Sequence, residues 1–95
     1  MNACYILYSP IKDKFYIGVT QDDVLTRCAK HNNKTYGVTY TSFTSDWEIF
    51  FCFECERYAQ AVNIERHLKR MKSRKYIHDL KKFPDISKKL IEKYK

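Results

Sequence analysis

The chain opens on two short apolar runs, the second alternating with Tyr, Gly and Thr, with polar turn residues between them. Residues 3–8 (Ala-Cys-Tyr-Ile-Leu-Tyr) are β-branched and aromatic and predict a strand. Ser9-Pro10 opens a turn that Lys12-Asp13-Lys14 keeps polar. Phe15 to Thr20 predicts a second strand, so residues 3–20 form a hairpin. The period then lengthens. Asp22 or Asp23 can cap a helix to about His31. Leu25, Cys28, Ala29 and Asn32 line one side of it, while Arg27 and His31, four residues apart, share another. Asn32 to Ser45 is polar and predicts an irregular loop. Alternation returns from Trp47 to Glu54, with Trp47, Ile49, Phe51 and Phe53 facing one way and Glu48 and Glu54 the other. A long helix over about Tyr58 to Lys72 has a buried stripe of Ala61, Ile64, Leu68 and Met71. Lys72-Ser73-Arg74-Lys75 breaks it. Tyr76 to Lys81 predicts a short helix with Ile77 and Leu80 inward, and Pro84 starts a last one to about Lys93. The order is β-β-α-β-α-α-α, without repeat or linker.

Composition narrows the class. The 95 residues make one domain, 1–95, too short for a deep cavity around a bulky cofactor. A hydrophobic fraction of 44% excludes a disordered chain, and 16% aromatic residues imply an aromatic-rich core. The apolar start is too short for a signal peptide, and no apolar run approaches the roughly 20 residues of a membrane span. A cytoplasmic protein with no membrane partner is expected. Cys4, Cys28 and Cys52 sit in apolar stretches and read as reduced, buried thiols. Cys52-x-x-Cys55 lacks a second ligand pair and reads as structural rather than as a zinc site.

Charge changes the picture more. Residues 1–65 sum to −2 and residues 66–95 to +9. A basic helical part from about residue 66 suits a phosphate backbone or an anionic membrane, or is a solvated tail.

Six residues could carry chemistry. An odd register sum in the hairpin, with Tyr5 opposite Tyr16 or Gly18, would put both tyrosines on one face within about 5–8 Å. Gly18 inside a strand marks close approach of a ligand or of another group. Arg27 and His31 share a helix face. Glu65 is a carboxylate at the edge of an apolar stripe and needs a cation or a metal. Singly, each also reads as packing, a solvated face or a salt-bridge partner. Together they supply what phosphodiester hydrolysis needs: a metal ligand, a proton acceptor and cations for the charge that builds on phosphate.

The stretch Ala3-Cys4-Tyr5, then Tyr16-Ile17-Gly18, then Arg27 and His31, then Glu65 resembles the GIY-YIG nuclease family, in its small stand-alone bacterial form. The tyrosines stand eleven residues apart, as is usual there, and the Ala61-x-x-x-Glu65-x-x-Leu68-Lys69 helix leads into Lys72-Ser73-Arg74-Lys75. The resemblance covers residues 3 to about 80. It implies an α+β fold, a three-stranded antiparallel sheet flanked by helices, with the site on one sheet face. It also implies a metal-dependent endonuclease acting on nucleic acid, DNA in preference to RNA. On this reading Tyr5, Tyr16, Arg27, His31 and Glu65 are catalytic, and Glu65 holds one Mg²⁺ or Mn²⁺. Tyr5 is favoured as the base, Tyr16 orients the water or phosphate, and Arg27 pairs with the scissile phosphate. His31 positions phosphate or relays a proton. Gly18, Lys69, Arg70, Lys72, Arg74 and Lys75 contact nucleic acid. Protein partners are left open. Ala3 and Cys4 stand where the family's first triplet has Gly and Ile, and Val19 and Thr20 where many members carry a Lys. That last departure, with the lack after Glu65 of an Asn that many members carry, favours a rival reading, a nucleic-acid-binding module without cleavage. A third reading is a protein-interaction domain whose charge serves solubility.

Overall fold

The structure is a computed structural model in which residues 2–33 and 43–95 are described. The expected order holds: β1 (Asn2–Ser9), β2 (Lys14–Thr20), α1 (Val24–Asn32), β3 (Glu48–Cys55), α2 (Tyr58–Met71), α3 (Arg74–Lys82) and α4 (Pro84–Lys93). The strands form an antiparallel sheet in the order β2-β1-β3, with helices packed on it, an α+β fold. Most of the expected loop from Asn32 to Ser45 lies outside the described residues. Among the described residues no helix is long and apolar enough to cross a membrane.

Strand alternation divides the side chains into two cores. On one face Cys4, Ile6 and Phe53 meet Ala61, Ile64 and Leu68 of α2, with Ile77, Leu80 and Leu90 from α3 and α4. On the other, Ala3, Tyr5 and Leu7 meet Val24 and Cys28 of α1 and Trp47.

Three expectations about facing need correction. Ile49 and Phe51 do not share a face. Ile6 pairs with Phe51 while Leu7 pairs with Ile49, so a bulge at Phe50 shifts the register. An extra residue inverts the alternation beyond it. Ile49 therefore joins Tyr5 and Leu7, while Phe51 and Phe53 join the α2 core. In α1 the inward stripe is Val24, Cys28 and His31; Leu25 is 69% exposed, and Ala29 is exposed too. His31 wins the inward place because a buried tyrosine hydroxyl on the sheet gives its ring a polar partner. Met71, the last residue of α2, is 44% exposed, having run past the sheet.

Helix ends follow local chemistry. Asp23 occupies the N-cap place of α1, but its carboxylate accepts from Thr26 Oγ1 and makes no backbone cap bond. Ser73 does cap α3, accepting from Tyr76 N at 3.1 Å. The break between α2 and α3 is thus two residues, Lys72 and Ser73. Lys72 turns the chain there with φ 47, in the left-handed region that costs a non-glycine residue roughly 1–2 kcal/mol. The β1–β2 turn is tied down by Asp46, which accepts from Ser9 Oγ at 2.6 Å, Ile11 N at 2.9 Å and Thr44 Oγ1.

Candidate active site

Pairing of Tyr5 with Gly18, and of Leu7 with Tyr16, is the odd-sum register that puts both tyrosines on one face. Their ring centroids are 6.3 Å apart. Gly18 is where the Tyr5 ring lies. A Cβ built there would fall 2.6 Å from Tyr5 Oη and 3.0 Å from the Tyr16 ring. The close approach expected of this glycine is therefore made by a side chain of the protein itself.

His31 completes the cluster from α1. Its Nε2 is 3.1 Å from Tyr5 Oη, in a hydrogen bond whose direction is set by the imidazole tautomer. Its ring centroid is 5.0 Å from that of Tyr16. Burial first, and the positive charge of Arg27 second, lower its pKa below the usual 6.5, so the ring is neutral at pH 7. Arg27 is thus close enough, one helical turn back, to be felt electrostatically at the imidazole. Trp47 lies 6.3 Å from Tyr16, backed edge-on by Phe43. Asn32 seats it, accepting from Trp47 N at 2.6 Å and donating to Trp47 O at 2.8 Å. Neither Trp47 nor Asn32 was expected at the site. The alternation of residues 47–53 placed Trp47 in the sheet, but nothing local tied it to α1.

Exposure separates the two tyrosines. Tyr5 is fully buried, whereas Tyr16 lines a hollow of about 360 Å³ at the outer edge of β2, with Phe15, Ile17 and Lys69. That hollow adjoins a larger one of about 420 Å³ that shares Phe15, Ile17 and Lys69. It runs on between the hairpin and the α2–α3 junction, past Lys14, Lys72 and Arg74.

Glu65 projects from α2, whose buried residues pack on the opposite sheet face from the tyrosines. Its carboxylate pairs with Lys69 Nζ at 3.4 Å, and it is Lys69, not Glu65 itself, that lines both hollows. The Glu65 side chain is 19% exposed.

The expected nucleic-acid contacts divide as well. Lys69, Lys72 and Arg74 line the groove. Arg74 is held by Asp13 through three hydrogen bonds, two to its carboxylate at 2.6 and 3.2 Å and one to its backbone carbonyl at 3.3 Å, and lies over the Phe15 ring. Arg70 is turned the other way, its guanidinium 3.5 Å from the Tyr94 hydroxyl of α4. Lys75 pairs with Asp79 at 3.1 Å.

Among the described residues no group of three His, Cys, Asp or Glu is arranged to hold a metal. Cys52 and Cys55, three apart on β3, fall on opposite faces of the sheet, so they cannot pinch one ion. A partly exposed carboxylate such as that of Glu65, one salt bridge away from the groove-lining Lys69, is still a fitting donor for a hard divalent ion, which keeps several waters and takes phosphate oxygens from substrate.

Residues 1–77 match the family model described as the GIY-YIG catalytic domain. No curated protein and no solved structure matches the chain.

Proposed function

The chain belongs to the GIY-YIG nuclease family, and from that premise we propose that it is a metal-dependent endonuclease acting on DNA, with its reaction centre at the outer edge of β2. The observation that carries this reading is the placement of Tyr16. It lines the smaller hollow that adjoins the groove, while its ring packs against His31, which is hydrogen-bonded to Tyr5.

Each residue then has a task. Glu65 would hold one Mg²⁺ or Mn²⁺, releasing Lys69 as it does so. When bound, the ion would offset charge building on the phosphate. Tyr16 is our choice of proton acceptor for the attacking water, because a base must meet that water. Tyr5, preferred on sequence grounds, is fully buried. Neutral His31, with its proton on Nδ1, accepts from Tyr5 and keeps Tyr5 and Tyr16 in register. Arg27 pairs with the scissile phosphate through its planar fork. Lys69 and Lys72 hold the flanking backbone. A cytoplasmic location is part of the same proposal, since the four cysteines are free thiols, which persist in a reducing compartment.

A second reading keeps the fold and drops the cleavage. The Lys69–Glu65 pair favours it, because a lysine already neutralises the carboxylate that would hold the ion.

The test is an assay of plasmid and single-stranded DNA with and without Mg²⁺ or Mn²⁺. We expect cleavage only with the ion. A free phenol ionises near pH 10, so a phenol-based rate should climb well above pH 7. Tyr16→Phe should lose that limb, and Tyr5→Phe should keep it at a lower rate. Binding without cleavage under every condition selects the second reading.

A further inference from the structure

The groove differs in one respect from a surface that only grips phosphates. Its floor is apolar, built from Phe15, Ile17, Leu68 and Ile77, and its cations stand at the rim. A phosphate backbone gains nothing from an apolar floor. A nucleobase does, through its flat π-face, and the phosphates on either side of it then reach the rim.

One wall is built for stacking. The Arg74 guanidinium lies 5.2 Å from the Phe15 centroid and is clamped there by Asp13. It is nevertheless 54% exposed. The Phe15 ring is itself fixed, 4.8 Å from Tyr8 and edge-on to Phe50 at 5.1 Å. Arg74 therefore loses less ordering entropy than a free arginine when a base stacks on it. Asp13 and Lys72, the two non-glycine residues with positive φ among those described, both line this groove. Asp13 lies in the β1–β2 turn and Lys72 ends α2, so two tight chain reversals frame the groove.

We propose that this groove takes an unpaired nucleotide next to the scissile phosphate, its base stacked against the Phe15–Arg74 wall. The inference rests on the nuclease reading and sharpens it. The substrate is a single strand, or a duplex with unpaired nucleotides beside the cut, because a paired base cannot enter the groove.

The test is a binding measurement with EDTA present, so that cleavage plays no part. Labelled oligonucleotides of equal length, single-stranded and duplex, are titrated at several salt concentrations, and an abasic nucleotide is moved one position at a time through the single strand. The single strand should bind more tightly than the duplex. One abasic position should weaken binding roughly 5- to 100-fold, the range of a lost base–aromatic stack. Arg74→Lys keeps the charge and loses the plane, and should abolish that positional penalty while leaving the salt dependence in place. Phe15→Leu should do the same if it folds, and Arg74→Lys, at an exposed position, carries the test if it does not. Equal binding of single strand and duplex with a flat abasic scan would overturn the proposal and leave the nuclease reading standing. Absence of any salt-dependent nucleic-acid binding would overturn both.

Discussion

The two faces of the sheet are built from different materials. The face under α2, α3 and α4 is aliphatic and aromatic, closed by Ile6, Phe53, Ile64 and Leu80, each at most 1% exposed. The face under α1 is smaller and carries hydroxyl and imidazole groups within its packing: Tyr5, Tyr16 and His31. Burying polar groups is tolerable only when they bond to one another, so this second cluster has little tolerance for substitution at its hydroxyls and ring nitrogens. The difference suggests a division of labour. The larger core supplies stability, and the smaller one spends part of it to hold reactive groups in fixed places.

The sharpest way to break that division is to damage the larger core. Ile64→Ala should cost about 2–5 kcal/mol, the range for deleting a fully buried aliphatic side chain, read as a shift in a urea unfolding curve. The surviving folded fraction should keep its turnover, and a fall in turnover per folded molecule would mean that the two faces are not independent. Arg27→Lys probes the smaller face. Lysine keeps the charge but not the fork, so turnover on saturating DNA should fall on the order of 10²-fold with melting temperature nearly unchanged. If affinity collapses while turnover holds, Arg27 only binds.

Gly18→Ala joins the two quantities. The added Cβ meets Tyr5 Oη at 2.6 Å and Tyr5 Cζ at 2.7 Å, and Tyr5 is tied to His31. We expect a loss of about 1–3 kcal/mol together with reduced cleavage. Removing the Tyr5 hydroxyl relieves the nearest clash, so the same substitution should cost less in a Tyr5→Phe background. Additive costs would contradict the contact.

Acid separates the regions by smaller effects. Burial, then Arg27, lowers the His31 pKa, so below about pH 6.5 the unfolded chain takes up a proton that the native one refuses. The stability that His31 contributes is complete above that pH and declines as pH falls. His67, lowered by burial and then by Lys93 and Arg70, acts in the same direction. Asp46 is held at about 2 by Ser9 and then Thr44, and its share is lost only as pH falls from the ordinary carboxylate range toward 2. Melting temperatures should therefore fall in two stages. His31→Asn should weaken the first and Asp46→Asn the second, in which Asp13, held low by Arg74 and then Tyr8, also takes part. A flat profile between pH 6.5 and 5 would contradict the buried neutral imidazole.

Much of this was legible in the chain, wherever short-range patterns decide. Strand alternation, the hairpin turn and the stripe of α2 gave all seven elements in order. The pairing of Tyr5 with Gly18 was one example of the odd-sum registers that put both tyrosines on one face, but the sequence did not choose among registers. What escaped was set by distant partners. Phe50 and Phe51 are both apolar, so the bulge leaves no gap in the pattern of β3. Leu25 and Ala29 looked better suited than His31 to the inner side of α1, and only the Tyr5 hydroxyl across the sheet reverses that choice. Glu65 was recognisable as a carboxylate in want of a cation, and the cation it finds is Lys69, four residues on. The groove was not recognisable at all, because its walls come from residues 13–17 and 68–77, which no local period connects.

The central claim, that Glu65 brings a divalent ion to the edge where Tyr16 waits, is tested most directly by Glu65→Gln. The substitution keeps the volume and removes the charge. Cleavage of DNA by parent and variant is measured across a titration of Mg²⁺ and Mn²⁺, with thermal melting as the check on folding. The account predicts a variant that melts like the parent and shows no metal-stimulated cleavage at any concentration. Metal-stimulated cleavage at the parent's rate by a folded Glu65→Gln protein would contradict it.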